Sequence, residues 1–435
     1  MAILAFMAIL AMAFPAGVQE SHPAGTPTAM HQPTSTVTTT SYTLPPDKLE
    51  KSKALYTTWV SLRIISSIYS FFILLAVLFF GIAARYRDWA ESVSRWRFVQ
   101  AMVFVALLMI TIIVLELPLR AYGHHVSLDY GLSIEGWGAW FVDLLKGEAL
   151  MIGFAVIIVW LLTTIIRKSP TRWWFYSWLI AVPLLGFVVF VLPLVVDPMF
   201  NKFKPLEKTQ PQLADAIEKV VQRGGLTIPK SRIYEMDASR RYTTLNAYVT
   251  GFGASKRVVI WDTTIQKLPA PETLLVFGHE MGHYVLHHVI YGMIAAAAGL
   301  LVGLYLVYRI SGWILKLFRQ RSGIRELSDW AAVPMIFLVF GVLSFFAEPV
   351  GNTFSRHIEH QADIYGLEIT HGINPSSEEV AAHTFQALGE LSLDYPYPSK
   401  GVVLWYYDHP AIADRLRFAR DYDPWGKGQT PKYVK

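Results

Sequence analysis

The sequence predicts a mostly α-helical, integral membrane protein whose soluble region is split around a late membrane hairpin. Hydrophobic residues make up 53% of the 435 residues and charged residues only 16%, whereas soluble globular domains are about a quarter charged. Six apolar runs recur along the chain, each long enough to cross a hydrocarbon layer of ~30 Å. Polar stretches follow the fourth run and the sixth. This pattern argues against an ordinary cytosolic enzyme and makes the lipid bilayer an expected partner.

The charge balance and the cysteine count narrow the possible chemistry. Lys and Arg number 38 against 33 Asp and Glu, which gives a net charge of +5. The basic residues do not form one stripe, so we expect no nucleic-acid partner. The chain contains no cysteine, which excludes disulfides, thiolate zinc sites and cysteine nucleophiles. Any bound metal must therefore be held by histidine and carboxylate side chains.

The N-terminal region carries a short apolar segment followed by a linker. Residues 1–17 are signal-like but too short to span a bilayer comfortably. Ala11-Met12-Ala13 resembles a signal-peptidase site, yet the usual preceding basic residues are missing, since the first basic residue is Lys48. A cleaved signal peptide and a retained hydrophobic segment both stay open. Residues 18–56 are predicted as a flexible linker, because much of this stretch is rich in Thr, Pro and Ser.

The apolar runs divide into a block of four and a late pair. The block occupies residues 57–196, and the pair forms a hairpin over residues 289–352. Buried helices of a soluble core are the alternative, but six such runs in one chain argue against it. The runs cover Val60–Ala83, Phe98–Pro118, Ala149–Ile166, Trp174–Val196, Val289–Ile310 and Trp330–Val350.

The two polar stretches are predicted to fold outside the membrane, over residues 197–288 and 353–435. In the first, Pro211–Arg223 fits an amphipathic helix that ends at Gly224. Arg232–Met236, Thr243–Val249 and Arg257–Trp261 fit strands. Both stretches therefore combine into a soluble region of mixed α and β structure.

The first soluble stretch ends in the pattern H-E-x-x-H, formed by His279, Glu280 and His283. Residues four apart share one face of a helix, so the two imidazoles can bind one zinc ion while Glu280 acts as a general base. Pro271 and Glu272 suit the first turn of such a helix. The alternative is a pair of structural histidines on a long helix, because short motifs also arise by chance.

A catalytic zinc ion usually has three protein ligands, so a third group is needed. Glu359 and Asp363 lie just after the last apolar run and would share a helix face. Glu359 can ligate zinc, and Asp363 can accept a hydrogen bond from a ligand histidine and orient it. His287, His288, His357 and His360 compete as ligands, although each is more often an interfacial or capping residue. Two intramembrane acids, Glu116 and Glu348, are unusual; a polar helix end explains Glu348.

With these residues in place, the chain resembles the type I CaaX prenyl proteases of metallopeptidase family forty-eight. The resemblance runs from about Asp47 to Leu416. The H-E-x-x-H pattern alone is typical of a broad class, whereas the ordered set of motifs is specific. The motifs are His279–His283, Glu359–Asp363, Asn246-Ala247-Tyr248, Asp197-Pro198, Phe203–Leu206, and His409-Pro410 with Arg415.

The resemblance implies a fold and a set of roles. It implies a ring of membrane helices that encloses a water-filled chamber with the zinc site at its wall. A split zincin-type α+β soluble domain would carry the H-E-x-x-H pattern. His279, His283 and Glu359 would bind one Zn²⁺ and Glu280 would be the base. His409 and Arg415 would stabilise the oxyanion. Asn246, Ala247 and Tyr248 would bind the substrate along an edge strand. The reaction implied is removal of the C-terminal tripeptide from a prenylated protein.

The chain departs from the family in two respects. The family often has a seventh, N-terminal span, where this chain has only the short segment of residues 1–17. Eukaryotic members usually carry His at the position of Thr244. Neither departure touches the proposed metal ligands, but both bear on the completeness of the ring and on substrate contacts.

Two other functions remain open at this point. A quality-control zinc protease that cuts membrane proteins without reading a lipid would use the same catalytic residues. An ion or solute transporter could use intramembrane His and Glu, but we find no internal repeat of the kind common in transporters.

The basic loops predict the orientation. Arg85–Arg97, Arg167–Arg172 and the tip of the late hairpin lie on one face, opposite the zinc site. The positive-inside rule places that face in the cytoplasm, and hence the zinc site outside, in a bacterial inner membrane. Eukaryotic members of the family face the cytosol, so this expectation departs from their arrangement.

Overall fold

The computed structural model describes residues 41–190, 192–243, 245–251, 256–374 and 376–434. The predicted signal-like segment and residues 18–40 of the predicted linker lie outside this range. Thr244 lies outside it as well.

The described chain is mostly helical, with a small sheet. The helices are α1 (Pro46–Phe79), α2 (Ile82–Val93), α3 (Arg97–Asp129), α4 (Trp137–Lys168), α5 (Trp173–Phe190), α6 (Leu192–Phe200), α7 (Leu206–Thr209), α8 (Pro211–Arg223), α9 (Asp262–Lys267), α10 (Ala270–Val285), α11 (His288–Ser322), α12 (Val333–Thr370), α13 (Ser377–Leu391), α14 (Lys400–Tyr406) and α15 (Ile412–Asp421). The strands are β1 (Phe203–Pro205), β2 (Ile233–Met236), β3 (Ala247–Thr250) and β4 (Arg257–Trp261).

The six predicted membrane spans are confirmed as helices long and apolar enough to cross a bilayer: α1, α3, α4, α5, α11 and α12. One boundary of the sequence prediction is wrong. Helix α1 begins at Pro46, so residues 46–56 are helical rather than part of a linker. Pro46 lies in the first turn, where its fixed φ suits a helix start, and the following Asp, Lys, Glu, Ala and Leu residues sustain the helix.

The six spans form a closed ring. Helix α1 packs on α3, α3 on α4, α4 on α5, α5 on α11, α11 on α12, and α12 again on α1. This ring is the architecture expected from the resemblance. The chamber expected inside it stays a prediction.

One end of the ring is filled by an apolar core. Trp330, Phe104, Val159 and Val307, from four parts of the chain, are almost completely buried there. A buried ion pair joins Arg87 of α2 to Asp329, just before α12, at 2.8 Å. The apolar core and this ion pair hold the helices together at this end. It is the end that carries the basic loops.

Toward the other end, polar side chains join neighbouring helices of the ring. Arg63 of α1 lies 2.6 Å from Glu348 of α12. Ser70 of α1 donates to Glu116 of α3 at 2.7 Å, and Arg120 pairs with the same carboxylate at 3.0 Å. The two unusual intramembrane acids are therefore both partnered, as is usual for ionisable groups at membrane depth.

The sheet lies in the soluble region in the order β1-β2-β4-β3. Strands β2 and β4 are parallel, whereas β1 and β3 are antiparallel to their neighbours. The apolar face of α8 packs with the sheet and α10 in one core cluster, as its amphipathic pattern predicts. In the described sheet β3 is an edge strand, and it lies beside α10.

Helix α12 links the membrane to the soluble region. It runs without interruption from Val333 to Thr370, through the predicted limit between the hairpin and the second soluble part. Its last turns pack closely against α10, with glycine at the contact. There is no room for a larger residue, since a Cβ atom on Gly366 would lie 3.0 Å from the backbone nitrogen of His279. This close approach brings the chemistry of the two helices together.

Candidate metal centre and substrate cleft

Helix α10 presents both histidines of the H-E-x-x-H pattern on one face. The Nε2 atoms of His279 and His283 lie 3.2 Å apart, and both side chains are buried. The i, i+4 spacing in a regular helix produces this proximity. The two imidazoles thus converge on one point.

Helix α12 supplies a carboxylate to the same point. Glu359, only 1% exposed, has Oε2 at 3.1 Å from Nε2 of His279 and Oε1 at 3.4 Å from Nε2 of His283. Together the three residues form a buried group able to hold a metal ion. Within the described residues the Nε2 atoms of His279 and His409 each lie 3.1 Å from Oε2, but neither is aligned as a hydrogen bond, and a buried carboxylate oxygen without such a bond is costly. A cation bound among these atoms would satisfy it.

The outer nitrogen of His279 is held by a buried carboxylate. Its Nδ1 lies 2.8 Å from Oδ1 of Asp363. Arg415 of α15 clasps the same carboxylate with two nitrogens, Nε at 3.0 Å and Nη2 at 2.6 Å. Asp363 thus occupies the orienting position suggested by the sequence. The described hydrogen bonds of Arg415 go to Asp363, the partner of His279, so an oxyanion contact by Arg415 stays a prediction.

Two further groups adjoin the ligands. Glu280 follows His279 directly, and burial raises its pKa against the opposing effect of His279 and His283. His409, just before α15, places Nε2 at 3.1 Å from Oε2 of Glu359. Burial lowers the pKa of His409, but the carboxylates of Glu359 and Asp408 outweigh burial and raise it well above its usual value. His409 therefore favours its cationic form, which suits a donor to a developing negative charge.

The predicted substrate-binding segment lies at the start of β3. The backbone oxygen of Asn246 accepts from the N–H of Trp261 at 3.1 Å, so the ladder with β4 begins at Asn246. In an antiparallel pair alternate residues face the partner. The backbone N–H and C=O groups of Tyr248 therefore face β4, whereas those of Ala247 and Val249 face the open edge of the sheet. The Tyr248 side chain is buried and donates to Asp197 at 3.0 Å.

The competing histidines have different places. His287 is exposed at the break between α10 and α11, with φ of 60°. The ring of His360 lies against Phe418, and His357 contacts Gln361 at 3.1 Å. None of these three belongs to the metal-binding group found in the described part of the chain.

His288 and Gln361 are contacts that sequence reasoning missed. Nδ1 of His288 lies 3.1 Å from Nδ1 of His283, and its Nε2 lies 3.0 Å from Oε1 of Gln361. A histidine five residues after the motif and a glutamine two residues after Glu359 were the available signals. A regular helix would have carried His288 away from His283, which is why its proximity was not expected.

Comparison with known proteins agrees with this geometry. The model of peptidase family M48 matches residues 207–423, and that of the CAAX prenyl protease N-terminal region, with five membrane helices, matches residues 30–202. An uncharacterized metalloprotease, YhfN, of Bacillus subtilis is 34% identical over 80% of both chains. A CAAX prenyl protease 1 homolog of Dictyostelium discoideum is 30% identical, covering 70% of this chain and 69% of its own.

The fold also matches a solved structure. The crystal structure of S. mikatae Ste24p covers 97% of both chains with a TM-score of 0.76, at 21% sequence identity. These relatives include proteases and do not favour the transport alternative. The chain belongs to peptidase family M48 and is a membrane metalloprotease.

Proposed function

We propose that the protein is a zinc endopeptidase that hydrolyses peptide bonds at the His279–His283–Glu359 group. The observation that carries this proposal is the convergence of the Nε2 atoms of His279 and His283 on the two oxygens of the buried Glu359 carboxylate, at 3.1 and 3.4 Å. Two histidines and a glutamate are a ligand set found in catalytic zinc sites. With no cysteine in the chain, thiolate-preferring metals are disfavoured.

When bound, zinc would act as a Lewis acid and lower the pKa of a water molecule from 15.7 toward about 7. Glu280 accepts the proton of the attacking water, and its raised pKa suits it to pass that proton on to the leaving amine. His409 donates an N–H to the carbonyl oxygen as negative charge develops there. Arg415, through Asp363, keeps the ring of His279 in place.

The substrate is proposed to bind as an added strand along β3. Ala247 and Val249 offer backbone groups at the open edge of β3. The Asn246 side chain is only partly buried and lies where the pairing of β3 with β4 begins. Such pairing recognises an extended peptide through its main chain. In this proposal Tyr248 contributes by fixing the strand through Asp197.

The proposed substrate class is a protein with a prenylated C-terminal Cys-a-a-X sequence, from which the last three residues are removed. Support comes from relatives named CAAX prenyl protease 1 in Dictyostelium and Saccharomyces cerevisiae. A general quality-control protease would share every catalytic residue, so only substrate preference distinguishes that function from prenyl-protein processing. We further propose a bacterial inner-membrane location with the zinc site on the extracytoplasmic side, because the basic loops lie at the opposite end of the ring.

The test compares the parent protein with Glu280→Gln, which keeps the size of the side chain but removes the base. We expect one zinc ion per chain in both proteins and cleavage of a fluorogenic peptide by the parent alone. Farnesylated and unmodified peptides of one sequence are then compared. Preference for the farnesylated peptide supports prenyl-protein processing, whereas equal cleavage supports quality control. Absence of zinc from the parent, or equal cleavage by both proteins, would overturn the proposed function.

A further inference from the structure

The second ligand histidine, His283, is attached to a line of hydrogen-bonding side chains. His288 contacts Nδ1 of His283 at 3.1 Å, Gln361 contacts His288 at 3.0 Å, and His357 contacts Gln361 at 3.1 Å. The line starts at the buried pair His283 and His288 and ends at the exposed His357. The line runs from α10 through α11 to α12, so it connects all three helices at the site.

The direction of every hydrogen bond in this line follows from one condition. If Nε2 of His283 faces a metal, the neutral ring carries its proton on Nδ1. Nδ1 of His288 must then accept, which places the proton of His288 on Nε2, where it donates to Oε1 of Gln361. The amide nitrogen of Gln361 then donates to Nε2 of His357. Each ring needs only one proton, and no two donors or two acceptors face each other.

We propose that His288 is a positioning residue that accepts the hydrogen bond of His283 and, held by Gln361, fixes the tautomer and the orientation of that ligand. The inference rests on the proposed metal site. It gives the two ligand histidines separate supports: Asp363 and Arg415 hold His279, and His288 and Gln361 hold His283. A neutral imidazole serves as acceptor for His283 without adding a third buried carboxylate next to Glu359 and Asp363.

The break between α10 and α11 makes the contact possible. In a continuous helix a residue five positions on lies about 140° around the axis from the first. His287 adopts a φ of 60°, in the left-handed region that is unfavourable for a non-glycine residue. This local strain turns the chain so that the His288 ring reaches back to His283.

The test measures zinc affinity by competition with a chelator. His288→Leu removes the acceptor at similar bulk, and we expect zinc binding to weaken about 10- to 100-fold, as when other supports of metal ligands are removed. His288→Asn should restore most of the affinity, because its Oδ1 can accept near the position of Nδ1. The absorption spectrum of the Co²⁺-substituted protein should change in the Leu variant and return toward that of the parent in the Asn variant.

Two further variants calibrate the result. Gln361→Leu should weaken zinc binding less than His288→Leu, and His357→Leu, at the exposed end, should leave it unchanged. If His288→Leu does not fold, Gln361→Leu decides, and parental affinity and spectrum there would refute the inference. Parental affinity in His288→Leu, or equal losses in the Leu and Asn variants, would also refute it. A parent that binds no zinc would instead refute the proposed metal site, and the inference with it.

Discussion

At the scale of single residues, we expect the loss of Arg415 to lower both stability and zinc affinity, because Arg415 holds the carboxylate that orients His279. Two nitrogens of Arg415 bind Asp363, which is 3% exposed. Arg415→Leu leaves that carboxylate buried without its cation, a change that typically costs about 3–5 kcal/mol. We expect a strongly lowered thermal midpoint of the zinc-free protein and weaker zinc binding, because the partner of His279 is no longer held.

The matched control is Arg417→Leu on the same helix. Arg417 is exposed and its contact with Asp414 is a surface pair at 3.3 Å, so its loss should change stability by less than about 0.5 kcal/mol. Similar melting temperatures for the two variants would show that the Arg415–Asp363 pair does not stabilise the site.

Glu272, in the first turn of α10, predicts a pH dependence of stability. Burial raises its pKa to about 7 from 4.5. The folded state therefore holds this proton more tightly than the unfolded state, and stability from this group falls as the pH rises from about 4.5 through about 7. Glu272→Gln is neutral at every pH, so it should melt at a higher temperature than the parent at pH 8 and at the same temperature near pH 4.5.

The measurement is thermal unfolding of both proteins in detergent across that pH range. The difference between parent and variant is the quantity of interest, because other groups titrate equally in both. A constant difference, or one that grows toward low pH, would contradict the assignment of the burial effect to Glu272.

At the scale of secondary-structure elements, the close contact of α10 and α12 sets the position of the metal ligands. A Cβ atom on Gly366 would lie 3.0 Å from the backbone nitrogen and 3.2 Å from the Cα atom of His279. Backbone atoms cannot move aside as a flexible side chain can. Gly366→Ala should therefore push the helices apart, cost about 1–3 kcal/mol and weaken zinc binding.

Gly303→Ala in α11 is the control, because no atom lies within 4 Å of a Cβ placed there. It should leave the thermal midpoint and zinc affinity unchanged or slightly improved. If both glycine variants bound zinc as the parent does, the close packing of α10 and α12 would not determine the ligand geometry.

The same elements show where sequence reasoning succeeds and where it stops. The helical H-E-x-x-H pattern and the carboxylates of α12 were predictable, because i, i+4 spacing depends only on local helix geometry. The break at His287 was not, since no Gly or Pro marks it and the contact with His283 forms only in the folded protein. Small residues often mark close contacts between membrane helices, yet no atom lies within 4 Å of a Cβ placed on Gly299 of α11. Composition alone does not identify the contact face.

At the scale of the whole molecule, the six spans followed from hydropathy, whereas their order around the ring did not. Apolar length reports that a helix crosses the bilayer, but not which neighbour it contacts. Helix α12 meets α1, which is distant in sequence, through pairs such as Arg63 with Glu348. The ring was expected only because the motifs resemble those of a known family. The start of α1 was misjudged because a Thr- and Pro-rich composition obscured a helix that begins at Pro46.

The ring also predicts how the protein is inserted, since its two ends differ in charge. Thr171 is exposed between α4 and α5 at the basic end, and Thr430 is exposed beyond α15, on the side of the site. The chain has no cysteine, so Thr171→Cys and Thr430→Cys each provide a single labelling position. Because basic loops are retained in the cytoplasm, a membrane-impermeant maleimide should label Thr430→Cys in intact bacterial spheroplasts and Thr171→Cys only after lysis. The reverse pattern would place the site in the cytoplasm, and labelling of both variants before lysis would contradict a single orientation.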